Sequence, residues 1–343
     1  MINFYKNNFD LIRLFAALQV MFMHSFGYLK LNNIPEIVTM ILSYLSGVPI
    51  FFVISGFLIS ASYERVKNIN EYIKNRFLRI YPALWISILI AIITMYIFYD
   101  QHIKFSDVIK WIIARATFLQ FYHNNVFNDY GMGNLNGTLW TISIELQFYI
   151  LLPILYLVFK NNLNKYLIII LFLSFFIKLF YLSASNESFL IKLLGVSIFP
   201  YLYMFLLGVL LRRYFNKISF ILINKAFYWL LLYLGVTWFL NVSDLIEDKY
   251  ILSTTVFILA LVVVSFAYTL TNFSKILNGN DISYGIYIYH LILTNILIQL
   301  NLIGDFTSLF LLVSITILIS FLSWKVIEKP SLALKKKALF KRE

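Results

Sequence analysis

Arg13 and His24 lie inside the first long apolar run of the chain, FDLIRLFAALQVMFMHSFGYL. A bilayer holds ionisable side chains at low cost only where they pair, line a cavity or take part in chemistry. Eleven residues separate the two. At 100° per residue that spacing returns within about 20° of the same helix face and sets them roughly 16 Å apart along the axis. One helix thus carries a cation towards one end and an imidazole towards the other. An imidazole suits proton abstraction from a hydroxyl near neutral pH, and a helix-to-helix hydrogen bond is its plainer use. Arg13 either snorkels to the headgroups or faces inward to meet an anionic or carbonyl-bearing ligand.

Four further groups stand out. Glu145, in GTLWTISIELQFY, falls at a depth similar to His24 and needs a partner. His24 is the candidate partner, with Glu145 orienting its imidazole or stabilising the imidazolium formed on proton transfer, and Lys178 is the structural alternative. Arg76 and Arg79, in NRFLRIYPALW, stand one turn apart at the mouth of a span, a spacing that suits a two-pronged phosphate clamp but that orientation signals also explain. His290, in ISYGIYIYHLIL, is flanked by Tyr284, Tyr287 and Tyr289 and reads either as pore lining or as core hydrogen bonding. Pro49, Ser55 and Gly56 interrupt GVPIFFVISGFLIS, either for close helix packing or to shape a channel wall. His102 and His123 read as solvated loop histidines, and no second ligand at metal spacing accompanies any of them, so no metal is expected.

The elements that must position these groups are membrane helices. The chain of 343 residues is 61% hydrophobic and 13% charged, with a mean hydropathy of +0.82, which excludes a soluble domain with a polar surface. Apolar runs of about 20 residues without dominant alternation indicate helices and not a barrel. Ten spans are expected, at about 9–29, 37–62, 82–99, 138–159, 166–183, 193–211, 226–241, 250–271, 283–303 and 306–327, forming one transmembrane domain over 1–343. The apolar stretch at the N-terminus is too long for a signal-peptide core, so the first span is expected to be retained. Most of the 28 Lys and Arg then fall on one side together with both termini, including Arg65, Lys67 and Lys74, the run Arg212, Arg213 and Lys217, and the basic tail at 328–343. The positive-inside rule makes that side cytoplasmic. The net charge of +12 is an orientation signal with attraction to anionic lipid, and nucleic acid is not an expected partner. The outside segment at 100–137 is the long connection, expected to hold an interfacial amphipathic helix and then an ordered polar loop or lid. There is no cysteine, so thiolate chemistry and disulfides are excluded.

Taken together, Arg13 with His24, GVPIFFVISGF, RFLRIYP, LWTISIELQFY and ISYGIYIYH, in this order, resemble acyltransferase family three, the membrane-bound O-acyltransferases that modify bacterial surface sugars. The resemblance implies an all-α bundle of about ten helices in the bacterial cytoplasmic membrane. It also implies transfer of an acyl group, most simply acetyl, from cytoplasmic acetyl-CoA as co-substrate to a hydroxyl of a surface or lipid-linked glycan, with no permanently bound cofactor. By the same resemblance His24 is the catalytic histidine, Arg13 its companion in the same motif, Arg76 and Arg79 the family's arginine pair, and Glu145 the acidic residue of a motif that includes Trp140; the placement of Arg76, Arg79 and Arg13 suits the phosphates and the long arm of a CoA donor. Trp140, Tyr284, His290 and Ser55 are the expected substrate-facing or pore-lining groups. The competing class is a multi-span transporter or flippase whose path Arg13, Glu145 and His290 would line. Neither the glycan, the acyl length nor the oligomeric state is legible.

Overall fold

The computed structural model describes residues 6–66, 68–99, 101, 103–184 and 188–339. Lys67 and His102 of the sequence reading, and residues 340–343 of the basic tail, lie outside them. Among the described residues every regular element is helical: α1 (Phe9–Tyr28), α2 (Glu36–Tyr44), α3 (Gly47–Arg65), α4 (Ile69–Phe98), α5 (Phe105–Ala116), α6 (Trp140–Val158), α7 (Leu163–Ser183), α8 (Phe189–Val196), α9 (Leu202–Leu222), α10 (Ala226–Val242), α11 (Asp248–Ala267), α12 (Ser283–Gln299), α13 (Phe306–Ser323) and α14 (Lys329–Leu339). A π-helical turn, Trp324–Glu328, joins the last two.

Seven of the described helical stretches are long and apolar enough to cross a membrane, and eight if α9 and α10 count as one span bent by 95°. The ten expected spans therefore do not all appear as separate long helices. The expected sixth span, 193–211, straddles the end of α8, a turn, and the first half of α9. The expected third span starts too late, because α4 runs from Ile69 and carries Pro82 inside it. Proline's lost N–H frees a carbonyl one turn back without ending so apolar a helix. The amphipathic helix expected in the outside segment is α5.

Backbone proximity divides the chain into two compact units, each assembled from separate stretches. The first takes residues 1–16, 44–69 and 144–279. Its centre is the crossing of α3 and α9, where two glycines let backbones meet. A Cβ at Gly56 would overlap the Phe205 carbonyl, and one at Gly208 would overlap the Val53 carbonyl and the Phe57 amide. Close approach through small residues is the usual way for helices to pack where lipid offers no hydrophobic drive. Of the two readings of the GVPIFFVISGF stretch, Gly56 thus takes the packing one. Phe52, Phe148 and Phe205 stack beside this crossing.

The second unit takes residues 17–43, 70–143 and 280–343. Its central element is α12, buried on nearly every face. Asp281 begins the helix by accepting from the Ser283 amide and hydroxyl. Asn301, in the left-handed region at φ 54°, closes it with a bond from the Leu302 amide to the Leu297 carbonyl, the geometry of a Schellman cap. Gly285 admits Ser320 of α13 against its backbone. The C-terminal half of α1 belongs to this unit, ends on Lys30 at φ 50°, and is tied by the Leu29 carbonyl to the Gly304 amide.

Candidate active site

His24 stands on α1 one turn before Tyr28 and is half-buried. Its Nδ1 lies 3.0 Å from Nε2 of His290 on α12, and the two rings are nearly parallel, 5.3 Å apart. His290 is 0% exposed, and its Nδ1 is 2.9 Å from the Ile286 carbonyl one turn back. Of the two rings, only His24 has exposed surface with which to meet a ligand. The sequence suggests a carboxylate partner for His24 and either pore lining or core bonding for His290. The structure makes His290 the bonded neighbour of His24, 266 residues away in sequence.

Arg13 is paired with Asp10 at 2.7 Å, one turn earlier on the same helix. The acid is the residue sequence reasoning passed over, although an acid three residues before an arginine is a readable helix pair. Glu145 accepts from Ser55 at 2.8 Å and from Tyr149 at 2.7 Å, both on Oε1. Ser55, expected to face substrate, is thus a partner of the carboxylate, and Tyr149 is a further one at i,i+4. Lys178, the alternative partner for Glu145, sits instead over the rings of Tyr181 and Tyr201 at 5.3 and 5.0 Å.

The arginine pair divides. Arg79 Nη2 lies 2.5 Å from Asp281 Oδ2, with the acid almost fully buried, while the Arg76 guanidinium lies over the Tyr72 ring at 5.8 Å. Asp281 is a second residue the sequence reading missed, since nothing local links it to a site 202 positions earlier. Tyr284 donates to the Ile80 carbonyl at 3.1 Å, two residues before Pro82, which makes it a tie between α12 and α4. Trp140 is half-buried at the first position of α6.

The segment after α5 is pinned onto α12 on both sides of His290. The Asn136 side-chain Nδ2 donates to the Ile288 carbonyl and the Thr138 hydroxyl to the Tyr287 carbonyl. Asn295, one turn beyond the histidine, holds the Met132 amide and the Asn134 and Leu135 carbonyls. Gly131, at φ 56°, leaves the room that the Asn295 side chain occupies. Arg115 anchors the other end. It is 1% exposed, donates to the Gln120 and Asn136 carbonyls and to the Asn134 side chain, and lies over the Trp111 ring. Burial pushes its guanidinium down to about 10, so it stays charged at neutral pH. The expected ordered loop is therefore present. Its chief anchor is Arg115, in the last turn of α5. His123 bonds Asn128 at the exposed surface, at 2.8 Å.

A profile describing an acyltransferase domain matches residues 6–325, nearly the whole chain. The chain belongs to acyltransferase family three. It is similar to nodulation protein 10 of Rhizobium leguminosarum bv. viciae, with 29% identity over 98% of this chain and 96% of the relative. It is also similar to a peptidoglycan O-acetyltransferase of Listeria monocytogenes, 30% identical over 33% of this chain and 20% of that protein. An O-acetyl transferase of Shigella phage Sf6 is 30% identical over 49% of this chain and 51% of its own length. No solved structure matches. As a family-three acyltransferase with seven or eight helical stretches, among the described residues, long and apolar enough to cross a membrane, the chain is a multi-pass membrane protein, and the matched region contains the histidine pair, the Arg79 to Asp281 bridge and the pinned loop.

Proposed function

We propose that this acyltransferase moves an acetyl group from acetyl-CoA to a hydroxyl of a cell-surface or lipid-linked glycan. The observation that carries the reading is the half-buried His24, bonded to a wholly buried histidine beneath a pinned loop. Names of relatives support the chemistry: two are O-acetyltransferases, and one of these acts on peptidoglycan. In the reaction His24 accepts the proton of the sugar hydroxyl as its oxygen attacks the thioester carbonyl. The carbon–sulfur bond breaks, and the proton passes to the departing sulfur, leaving an acetyl ester and free CoA. An apolar surround keeps bulk water from hydrolysing the thioester.

Arg76 and Arg79 are assigned to the donor phosphates, with Asp281 setting the direction of Arg79. Arg13 is assigned to the donor arm, and Glu145, whose carboxylate already accepts from Ser55 and Tyr149, to hydrogen bonding with substrate. With the basic segments on the cytoplasmic side, the donor enters from the cytosol of a bacterium and the glycan from across its inner membrane.

The test uses membranes containing this protein, labelled acetyl-CoA and an isolated polysaccharide or lipid-linked oligosaccharide acceptor. Ester-linked label on the glycan is expected, with none from His24→Ala at equal protein abundance. Label that moves across the membrane without ester formation would establish the transporter reading instead.

A further inference from the structure

The two histidines lie in one chain of hydrogen bonds whose direction is fixed at its buried end. His290 Nδ1 faces the Ile286 carbonyl at 2.9 Å. A carbonyl only accepts, so Nδ1 carries the proton. His290 is wholly buried, and a second proton on it would place an uncompensated charge in an apolar interior. Its Nε2 is therefore a bare lone pair, and that lone pair is the atom 3.0 Å from His24 Nδ1. A lone pair must be met by a donor, so His24 carries its proton on Nδ1.

We infer that His290 is a positioning residue that holds His24 as the Nδ1–H tautomer, so that Nε2 of His24 is the atom that takes the acceptor hydroxyl's proton. The inference rests on the acyl-transfer reading above for its chemistry, but the tautomer itself rests on geometry alone. An orienting partner is commonly a carboxylate, which also steadies the imidazolium formed on proton transfer. Here the partner is neutral. It fixes the tautomer and ring plane without adding a fixed charge to the interior of the unit, and its lone pair still accepts from Nδ1–H after Nε2 has been protonated. The backbone supplies the reference: the Ile286 carbonyl is part of α12, and the pinned loop holds that helix at Tyr287, Ile288 and Asn295. Neither His24 Nδ1 nor His290 is then an acyl carrier or a substrate contact.

The experiment takes the full chain in lipid nanodiscs with 15N-labelled histidine. The chain has four histidines, and His24→Gln and His290→Gln assign the two of interest. In the wild type, His24 is expected to be protonated at Nδ1 and bare at Nε2. His290→Leu removes the acceptor. It should move His24 towards the Nε2–H form and lower kcat by about 100-fold, the order of a general-base contribution, with KM for acetyl-CoA within about twofold. His290→Gln, whose amide oxygen reaches the place of Nε2, should restore the Nδ1–H form and recover most of kcat.

A wild-type His24 protonated at Nε2, or His290→Leu with undiminished kcat, overturns the inference. So does a His290→Gln variant as slow as His290→Leu while His24 still reads as Nδ1–H. If His290→Leu does not fold, the wild-type spectrum decides alone. An Nδ1–H His24 in a protein that transfers no acetyl group refutes the proposed reaction and leaves the tautomer assignment standing.

Discussion

Removing the charge on Asp281 alone should cost about as much as removing the charges on Asp281 and Arg79 together. The two are 2.5 Å apart, with the arginine side chain 20% and the acid 7% exposed. At an effective dielectric near 20 and about 4 Å between charge centres, the attraction is about 4 kcal/mol. Much of it offsets the desolvation of both groups, so the pair adds little net stability over an apolar replacement. Breaking it is a different matter. Asp281→Asn preserves an oxygen for the Ser283 amide and hydroxyl, but it takes the acid's charge away from the guanidinium and can turn an amide N–H against it. Arg79→Gln removes the cation that faces the Asp281 carboxylate and the nearby buried Glu328. Each single change is expected to cost roughly 3–5 kcal/mol and the double change about the same as one, a coupling of at least about 3 kcal/mol. Reversible unfolding of the purified protein in micelles, followed by tryptophan fluorescence, measures the cycle, and direct titration with acetyl-CoA measures donor affinity alongside it. Additive single effects, or a double variant losing about 8 kcal/mol, would refute the claim that the two charges serve each other. Should Asp281→Asn leave donor affinity unchanged while Arg79→Gln weakens it, the arginine serves the donor without needing the acid for direction.

Three other expectations follow from the same geometry. Gly56→Val and Gly208→Val should each prevent accumulation of folded protein in the membrane, since each new side chain meets helix backbone and not a movable side chain; monodisperse elution of either variant at wild-type yield would contradict the α3 to α9 crossing. Arg115→Met leaves the buried Gln120 and Asn136 carbonyls without their donor, at roughly 1–3 kcal/mol each, so hydrogen exchange of residues 117–136 should quicken by about 10-fold or more while that of α12 changes little. Glu145→Gln keeps an acceptor for Ser55 and Tyr149 but drops the charge; if the carboxylate only holds those hydroxyls, acetyl transfer should fall less than about 10-fold in kcat, and a loss matching His24→Ala would tie Glu145 to the proton transfer instead.

Local patterning was enough for the class of molecule. Apolar runs as long as a bilayer is thick, interrupted by basic connections, leave a helical membrane protein as the answer, because backbone polar groups in lipid have no other way to be satisfied over such lengths. The same patterning marked His24, since an ionisable group in such a run is costly wherever it has no use. Helix ends were less legible. Pro82 reads as a boundary yet lies inside α4, because an apolar surround stabilises the helix beyond the one hydrogen bond that proline removes.

Partners were the part that only tertiary structure decided. Within a helix, Asp10 with Arg13 and Glu145 with Tyr149 are three and four residues apart, and that spacing is visible in the letters. His24 with His290, Arg79 with Asp281, Ser55 with Glu145 and Arg115 with the Asn136 carbonyl are set by which helix lies beside which, and by which loop folds back. Helical periodicity records that a face is buried but not what it is buried against. The sequence by itself therefore determined that an imidazole sits in a membrane helix. The fold decided that its bonded neighbour is another imidazole, since a buried polar atom must bond to whatever the packing brings within about 3 Å of it.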